Sequence, residues 1–179
     1  MKKIFHLQNF SGFVLFLFTA MDENLKKKVL RKIHYGLFVA TSSNGKDTAS
    51  GTINWLTQVS FKPPAVAVAI KKDSFLHKVI SESGKFAINV VGKGQKDMAQ
   101  TFFKGYSVED GKLGGYEIFY GSTGCPIIKS SASAFECEVL NKVDFGGDHD
   151  LFIGKVVDVH ACYDLEPLSM METGWYYGG

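Results

Sequence analysis

The sequence predicts a mainly-β domain, an antiparallel barrel carrying two or three short helices. Three observations predict it. Between Gly36 and Tyr163 the chain holds six or seven short runs rich in β-branched and aromatic residues. Consecutive runs are joined by tight turns or by one short helix, which sets neighbours antiparallel and argues against a doubly wound parallel sheet. Two runs, Ala65–Ile70 (AVAVAI) and Phe86–Val91 (FAINVV), are apolar on both faces, as strands inside a core are.

Composition bounds the rest. Of 179 residues, 45% are hydrophobic and 21% charged, which excludes a disordered chain. The length suits one domain of about 150 residues with a short appendage, enough to bury a core without staples. Lys2 and Lys3 account for the whole net charge of +2. The remaining chain is balanced and has no basic footprint for nucleic acid. Cys125, Cys137 and Cys162 are scattered, with no CxxC pair. They read as reduced thiols of a cytoplasmic protein, not as a disulfide framework or a zinc site.

In chain order, residues 1–20 (MKKIFHLQNFSGFVLFLFTA) place two lysines before the apolar run Phe13–Phe18. The run resembles the core of a secretory signal but is too short for a stable membrane span. Phe18 occupies a position where a cleavage site prefers a small residue. Three alternatives stand: a start upstream of a true first residue at Met21, a signal or anchoring segment, or a packed element. Each leaves residues 1–20 outside the core and makes residues 21–179 the domain.

Residues 23–34 predict a helix. Leu25, Val29, Leu30 and Ile33 share one face, and Lys26, Lys27, Lys28, Arg31 and Lys32 cover the other, as a solvated face or a docking patch. Gly36–Ser42 (GLFVATS) is a strand, and Asn44-Gly45 marks a hairpin turn with positive φ at both central residues. Thr48–Phe61 reads as one second strand with an irregularity near Gly51, stopped by Lys62-Pro63-Pro64. Ala65–Ile70 follows as a central strand. Ser74–Ser83 is a helix capped by Asp73 or Ser74, with Leu76, Val79 and Ile80 inward and Gly84 at its end.

Phe86–Val91 is the next strand, and Gln95–Lys104 a second helix stopped by Gly105. Residues 105–124 hold six glycines and predict a long loop with one short strand at Tyr116–Tyr120. Ala132–Asp144 and His149–Tyr163 are long strands joined by Phe145-Gly146-Gly147-Asp148. An aromatic tail, Trp175-Tyr176-Tyr177-Gly178-Gly179, closes the sequence.

No GxSxG, HExxH, P-loop or GxGxxG pattern is present. His34, His77, His149 and His160 lack metal-ligand spacing with another His or Cys, so no metal site is expected. Three segments offer chemistry. Thr52, Asn54, Thr57, Gln58 and Ser60, around Trp55, make a strand too polar for a core; that face meets water or a ligand. Ile70-Lys71-Lys72-Asp73-Ser74 sets two lysines between a strand end and a helix start, either solvated or suited to an anion such as phosphate. Gly147-Asp148 presents His149 at a strand end, as a turn residue or as a proton donor near neutral pH.

In order and spacing these segments resemble the flavin reductase-like family, the FMN-binding split-barrel group. That group includes NAD(P)H:flavin oxidoreductases, flavoredoxin, archaeal ferric reductase and the C-terminal domains of diflavin flavoproteins. The resemblance runs through His34–Ser42, Ala49–Ser74 (ASGTINWLTQVSFKPPAVAVAIKKDS), Gly84–Val91 (GKFAINVV), Gly124–Ile128, Phe135–Val139 and Gly147–His160 (GDHDLFIGKVVDVH), covering residues 30–160. It implies an antiparallel, Greek-key-like split barrel, homodimeric, holding FMN non-covalently near the subunit interface. By the same resemblance Thr52, Ile53, Asn54, Trp55 and Thr57 line the isoalloxazine, and Ser60 follows in the same segment. Lys72 and Ser74 lie near the ribityl phosphate, and His149 near the nicotinamide.

The family often has Ser or Thr where this chain has Asn54. Some relatives continue into a rubredoxin or another partner; here an electron partner is expected as a separate protein. Two activities are implied: an NAD(P)H-dependent flavin reductase passing electrons to free flavin, ferric complexes or a redox partner, and a flavoredoxin-like electron carrier. In the second, the lysine-rich helix at 26–32 would dock an acidic partner such as rubredoxin or ferredoxin. A flavin-storage or sensing module is a third reading.

Overall fold

The computed structural model describes residues 21–178; the alternatives for residues 1–20 lie outside the described residues. Seven strands form one antiparallel sheet. They are β1 (Phe38–Ser43), β2 (Thr48–Ile53), β3 (Leu56–Phe61), β4 (Pro64–Lys71), β5 (Lys85–Val90) and, later in the chain, Ser133–Val143 and His149–Ala161. Between them lie two-residue strands β6 (Val108–Glu109) and β7 (Lys112–Leu113), then β8 (Tyr116–Tyr120) and β9 (Pro126–Ile128), which make a small second sheet. The two long strands are therefore β10 and β11. Four helices are described: α1 (Glu23–Leu30), α2 (Phe75–Ser83), α3 (Lys96–Thr101) and α4 (Met170–Thr173).

Strand order in the large sheet is β2-β1-β5-β10-β11-β4-β3. Its two edges, β2 and β3, are consecutive in sequence and separated only by Asn54 and Trp55. A flat sheet of this order would hold its edges about 29 Å apart at the normal strand spacing. A link of two residues reaches no more than about 11 Å. The sheet therefore curls into a barrel. Among the described residues no ladder joins β2 to β3, so the barrel is split along that seam.

The interior is filled by Val66, Val68 and Ile70 of β4, Phe86 and Ile88 of β5, Phe152 of β11, and Leu76, Val79 and Ile80 of α2. α2 sits over β1 and β2 because Ser74 caps it, accepting from the His77 amide at 3.1 Å, and Gly84 ends it at φ +67°. At Gly154 a β-carbon would stand 2.4 Å from Phe86 Cζ, so the glycine makes room for the ring. A second cluster, with Leu37, Val39, Met98, Phe102, Leu113 and Ile128, packs α3 and the small sheet on the outside of β1 and β5.

Several boundaries differ from the sequence reading. The Asn44 turn is a four-residue loop closed by Ser43 opposite Thr48, and only Gly45 takes positive φ. The Asn44 side chain accepts from the Lys46 and Asp47 amides and builds the turn itself. Thr48–Phe61 is two strands, not one. Gly51 stays in register opposite Ala40, and the break falls at Asn54-Trp55. The glycine-rich stretch holds three short strands because the β6, β7 and β8 segments pair with one another. α3 is shorter than predicted, since the Gln95 side chain bonds the Gly92 amide and the Ser130 carbonyl and so fixes the entry to the helix. α1 ends at Leu30, and Leu25, Val29, Leu30 and Ile33 are exposed, because among the described residues no other element packs on them. No helix among the described residues is long and apolar enough to cross a membrane.

Candidate functional site

The seam between β2 and β3 opens onto a cavity of about 760 Å³, a size usual for cofactor sites. One wall is β2 and the link after it: Thr52, Ile53, Asn54 and Trp55. A second is the end of β4 with the start of α2: Lys71, Ser74 and Phe75. His149, first residue of β11, completes the inner end; it is the register partner of Lys71. The Phe102–Ser107 segment covers the free edge of β2. There Thr52 N–H donates to the Phe102 carbonyl, and the Ser50 hydroxyl both donates to the Tyr106 carbonyl and accepts from its amide.

Of the residues expected at the site, Thr52, Ile53, Asn54, Trp55, Ser74 and His149 line this cavity. The hydroxyl of Thr52 is engaged with the Ala99 carbonyl at 2.6 Å, so it orients α3. Asn54 is buried and donates to Met170 Sδ at 3.0 Å. Thr57, Ser60 and Lys72 do not line this cavity of the single chain. Thr57 and Ser60 belong to β3, which the break at Asn54-Trp55 carries to the opposite edge of the sheet. Lys72 turns away to Asp144 at 2.6 Å and stands 3.4 Å from Asp150. It thereby ties the β10–β11 turn to the end of β4. Those carboxylates raise the Lys72 pKa, Asp144 foremost.

Lys71 takes the place expected of Lys72. The Asp73 carboxylate, 3.0 Å away, holds its pKa above the ordinary lysine value, so it is a cation throughout the neutral range. At the other end, Asp148 Oδ1 lies 2.8 Å from His149 Nδ1. A carboxylate only accepts, so Nδ1 carries the proton and Nε2 faces outward with its lone pair. That contact holds the Asp148 carboxyl below its usual range.

Sequence reasoning missed the cavity's last wall, the segment Trp175–Gly178. Tyr177 Oη is 2.9 Å from His149 Nε2, and the Trp55 ring packs against both, at 4.7 Å from the imidazole and 5.3 Å from the phenol. Burial pushes the Tyr177 pKa up. The signal for this wall was present: three aromatic residues in a row in a tail with no strand or helix to pack them.

Trp55 Nε1 is buried and, among the described residues, has no hydrogen-bond partner. An unpaired buried donor is costly unless something supplies an acceptor. A flat apolar wall, an orphaned donor and a lysine beside a helix start together suit a planar heteroaromatic ring with carbonyl acceptors and an anionic tail.

A curled antiparallel sheet split along one seam, with such a cavity in the seam, defines a flavin-type split barrel. The chain belongs to the flavin reductase like domain family, which matches residues 30–178. A ferric-chelate reductase (NAD(P)H) of Archaeoglobus fulgidus is 32% identical over 140 residues, covering 77% of this chain and 82% of that protein. A probable flavin reductase of Rhizobium meliloti is 36% identical over 122 residues, covering 68% of this chain but only 38% of that protein. The chain likewise spans 28% of the diflavin flavoprotein A 1 of Synechocystis, at 26% identity over 161 residues. Among solved structures, the flavin reductase PheA2 superposes with a TM-score of 0.71 at 30% identity, covering 83% of this chain and 93% of that one.

Proposed function

We propose that the protein binds FMN in the seam cavity and is an NAD(P)H-dependent flavin reductase, with free flavin, ferric complexes or a redox protein as acceptor. The observation that carries this reading is the orphaned Trp55 Nε1 in a cavity bounded by Lys71 and His149. Ile53 and Trp55 would hold the isoalloxazine, with Trp55 Nε1 donating to one of its acceptors. Lys71 and Ser74, at the start of α2, would face the phosphate, whose charge requires several donors. When bound, the flavin supplies the hydride and electron chemistry. His149 would orient a nicotinamide, its tautomer fixed by Asp148. The names of the relatives, a flavin reductase and an NAD(P)H-dependent ferric-chelate reductase, support the same activity here.

The test is anaerobic mixing of the FMN-loaded protein with NADH or NADPH. Bleaching of the flavin's visible band is expected with at least one of them. A band that survives both excludes the reductase activity.

A second reading, an electron carrier reduced by rubredoxin or ferredoxin, is favoured by one observation. Lys27 and Lys28 of α1 and its apolar stripe are exposed, and among the described residues no element packs on that stripe. Docking of an acidic partner there would make the reduction rate fall steeply with salt; a flat response would reject it. Exposed apolar side chains on the sheet, among them Phe61 at 86% and Val159 at 70%, support a homodimer. The three free cysteines support a cytoplasmic location.

A further inference from the structure

The outward nitrogen of His149 is already occupied, by a group from the protein itself. Asp148 keeps a proton on Nδ1, so in the neutral imidazole Nε2 accepts from the Tyr177 hydroxyl, 2.9 Å away. The phenol lies edge-on to Trp55 at 63°, and Gly178 crosses the indole. A β-carbon on Gly178 would stand 2.7 Å from Trp55 Cζ2, and its φ is +76°, so the backbone lies close against the ring.

The segment is held from outside by contacts that do not involve the cavity floor. Lys96 Nζ stands 4.7 Å over the Trp175 ring and donates to the Thr173 carbonyl at 2.8 Å. Arg31 stands 4.7 Å over Tyr176. The outer part of the strap is thus anchored, while Tyr177 makes the contact at the reacting end. Tyr177 is 47% exposed, so its removal from the cavity does not uncover a core.

Resting on the reductase reading, we propose that Tyr177 is a specificity-determining residue. It occupies the seat of the reductant's ring at His149, and yields only to a planar ring that brings its own N–H donor to Nε2. The chemistry defines what can displace it. The ring must fill the space the phenol leaves, and its substituent must donate where the phenol did. The carboxamide of a dihydronicotinamide does both. A ferric chelate that presents acceptors only has no group to offer Nε2. The strap therefore separates the reductant from a ferric acceptor at the same opening.

The test is steady-state FMN reduction by NADH and by NADPH, under anaerobic conditions, for the wild type, Tyr177→Ala, Tyr177→Phe and Gly178→Ala. Loss of one competing hydrogen bond lowers the reductant's KM about five-fold in Tyr177→Phe. Tyr177→Ala, which also vacates the ring's seat, lowers it further, with kcat changed less than KM. Gly178→Ala keeps the hydroxyl but lifts the backbone from Trp55, and shifts KM in the same direction. Equal FMN retention by each variant shows that the site is folded. Normal bleaching with a KM unchanged or raised in Tyr177→Ala overturns it and leaves the reductase reading intact. No bleaching in the wild type or in any variant overturns both.

Discussion

At the residue scale, the site turns on which of two adjacent lysines faces inward. Successive strand residues point to opposite sides, so a shift of one position exchanges them. β4 runs to Lys71, one residue beyond the Ile70 expected from the apolar pattern, because Lys71 still pairs with His149. That pairing puts Lys71 at the cavity and sends Lys72 to Asp144. Lys71→Ala should therefore weaken FMN binding more than riboflavin binding, narrowing the ratio of the two dissociation constants. Lys72→Ala should leave that ratio near the wild-type value. Fluorescence titration with both flavins measures it; the reverse ranking would restore Lys72 as the phosphate contact.

Trp55 and His149, which line the cavity, stand out in the sequence, the first as the one Trp in a polar segment, the second by its Gly-Asp preface. Thr57 and Ser60 fall outside the cavity's lining for a reason the sequence hides. A continuous alternation from Thr48 to Phe61 looks like one strand, and nothing local marks the change of edge at Asn54-Trp55. Trp55→Ala should weaken FMN binding about tenfold, the loss expected for one aromatic packing surface. An unchanged affinity would remove the indole from the flavin's wall.

At the element scale, β10 carries a fully buried carboxylate unrelated to the cavity. Glu136 accepts from the Ser122 amide at 2.9 Å, the Thr123 amide at 2.7 Å and the Thr123 hydroxyl, and lies 2.8 Å from His160 Nε2. Burial pushes its pKa up, but these partners together hold it below the ordinary carboxylate value. Its place was not legible: the sequence separates Glu136 from its partners, and only the β10–β11 pairing and the Gly121 turn assemble them. Gly121 is required there, since a β-carbon would fall 1.8 Å from Glu136 Oε1.

The sign of the linkage follows. A depressed folded-state pKa contributes stability above the unfolded pKa and loses it as pH falls through the folded value. The wild type should lose stability as pH drops below about 4.3 more steeply than Glu136→Gln does. At neutral pH that variant should cost about 1–3 kcal/mol through an imperfectly satisfied buried group. Thermal unfolding as a function of pH measures both; parallel curves would show that Glu136 contributes no linkage. In the barrel interior, Phe86→Ala should cost about 3–5 kcal/mol, because the ring fills the space that Gly154 leaves. A Tm within a degree or two of wild type would mean that the interior closes around the gap.

At the scale of the whole molecule, the sequence made the barrel legible through strand density and tight turns. It also made the apolar α2 face and the AVAVAI strand legible, since both are local patterns. The split itself was implied by the family resemblance, but no local pattern marked where the seam falls, because that is a property of how the two sheet edges meet. The strap over His149 was equally hidden, being a contact between residues 28 positions apart. α1 shows the converse case. Its amphipathic pattern is real, but among the described residues nothing covers the apolar stripe. If two copies associate through the sheet's exposed apolar residues, Phe61→Glu should shift sedimentation from dimer toward monomer. A monomeric wild type would leave those side chains without that explanation.

The central claim is that one flavin sits in the seam between β2 and β3. Titration of FMN into the purified protein, followed by the change in flavin fluorescence and repeated for Trp55→Ala and Lys71→Ala, tests it most directly. The account predicts saturation at one FMN per chain, with weaker binding in both variants. Failure of the wild type to bind FMN, or binding that neither substitution alters, would contradict it.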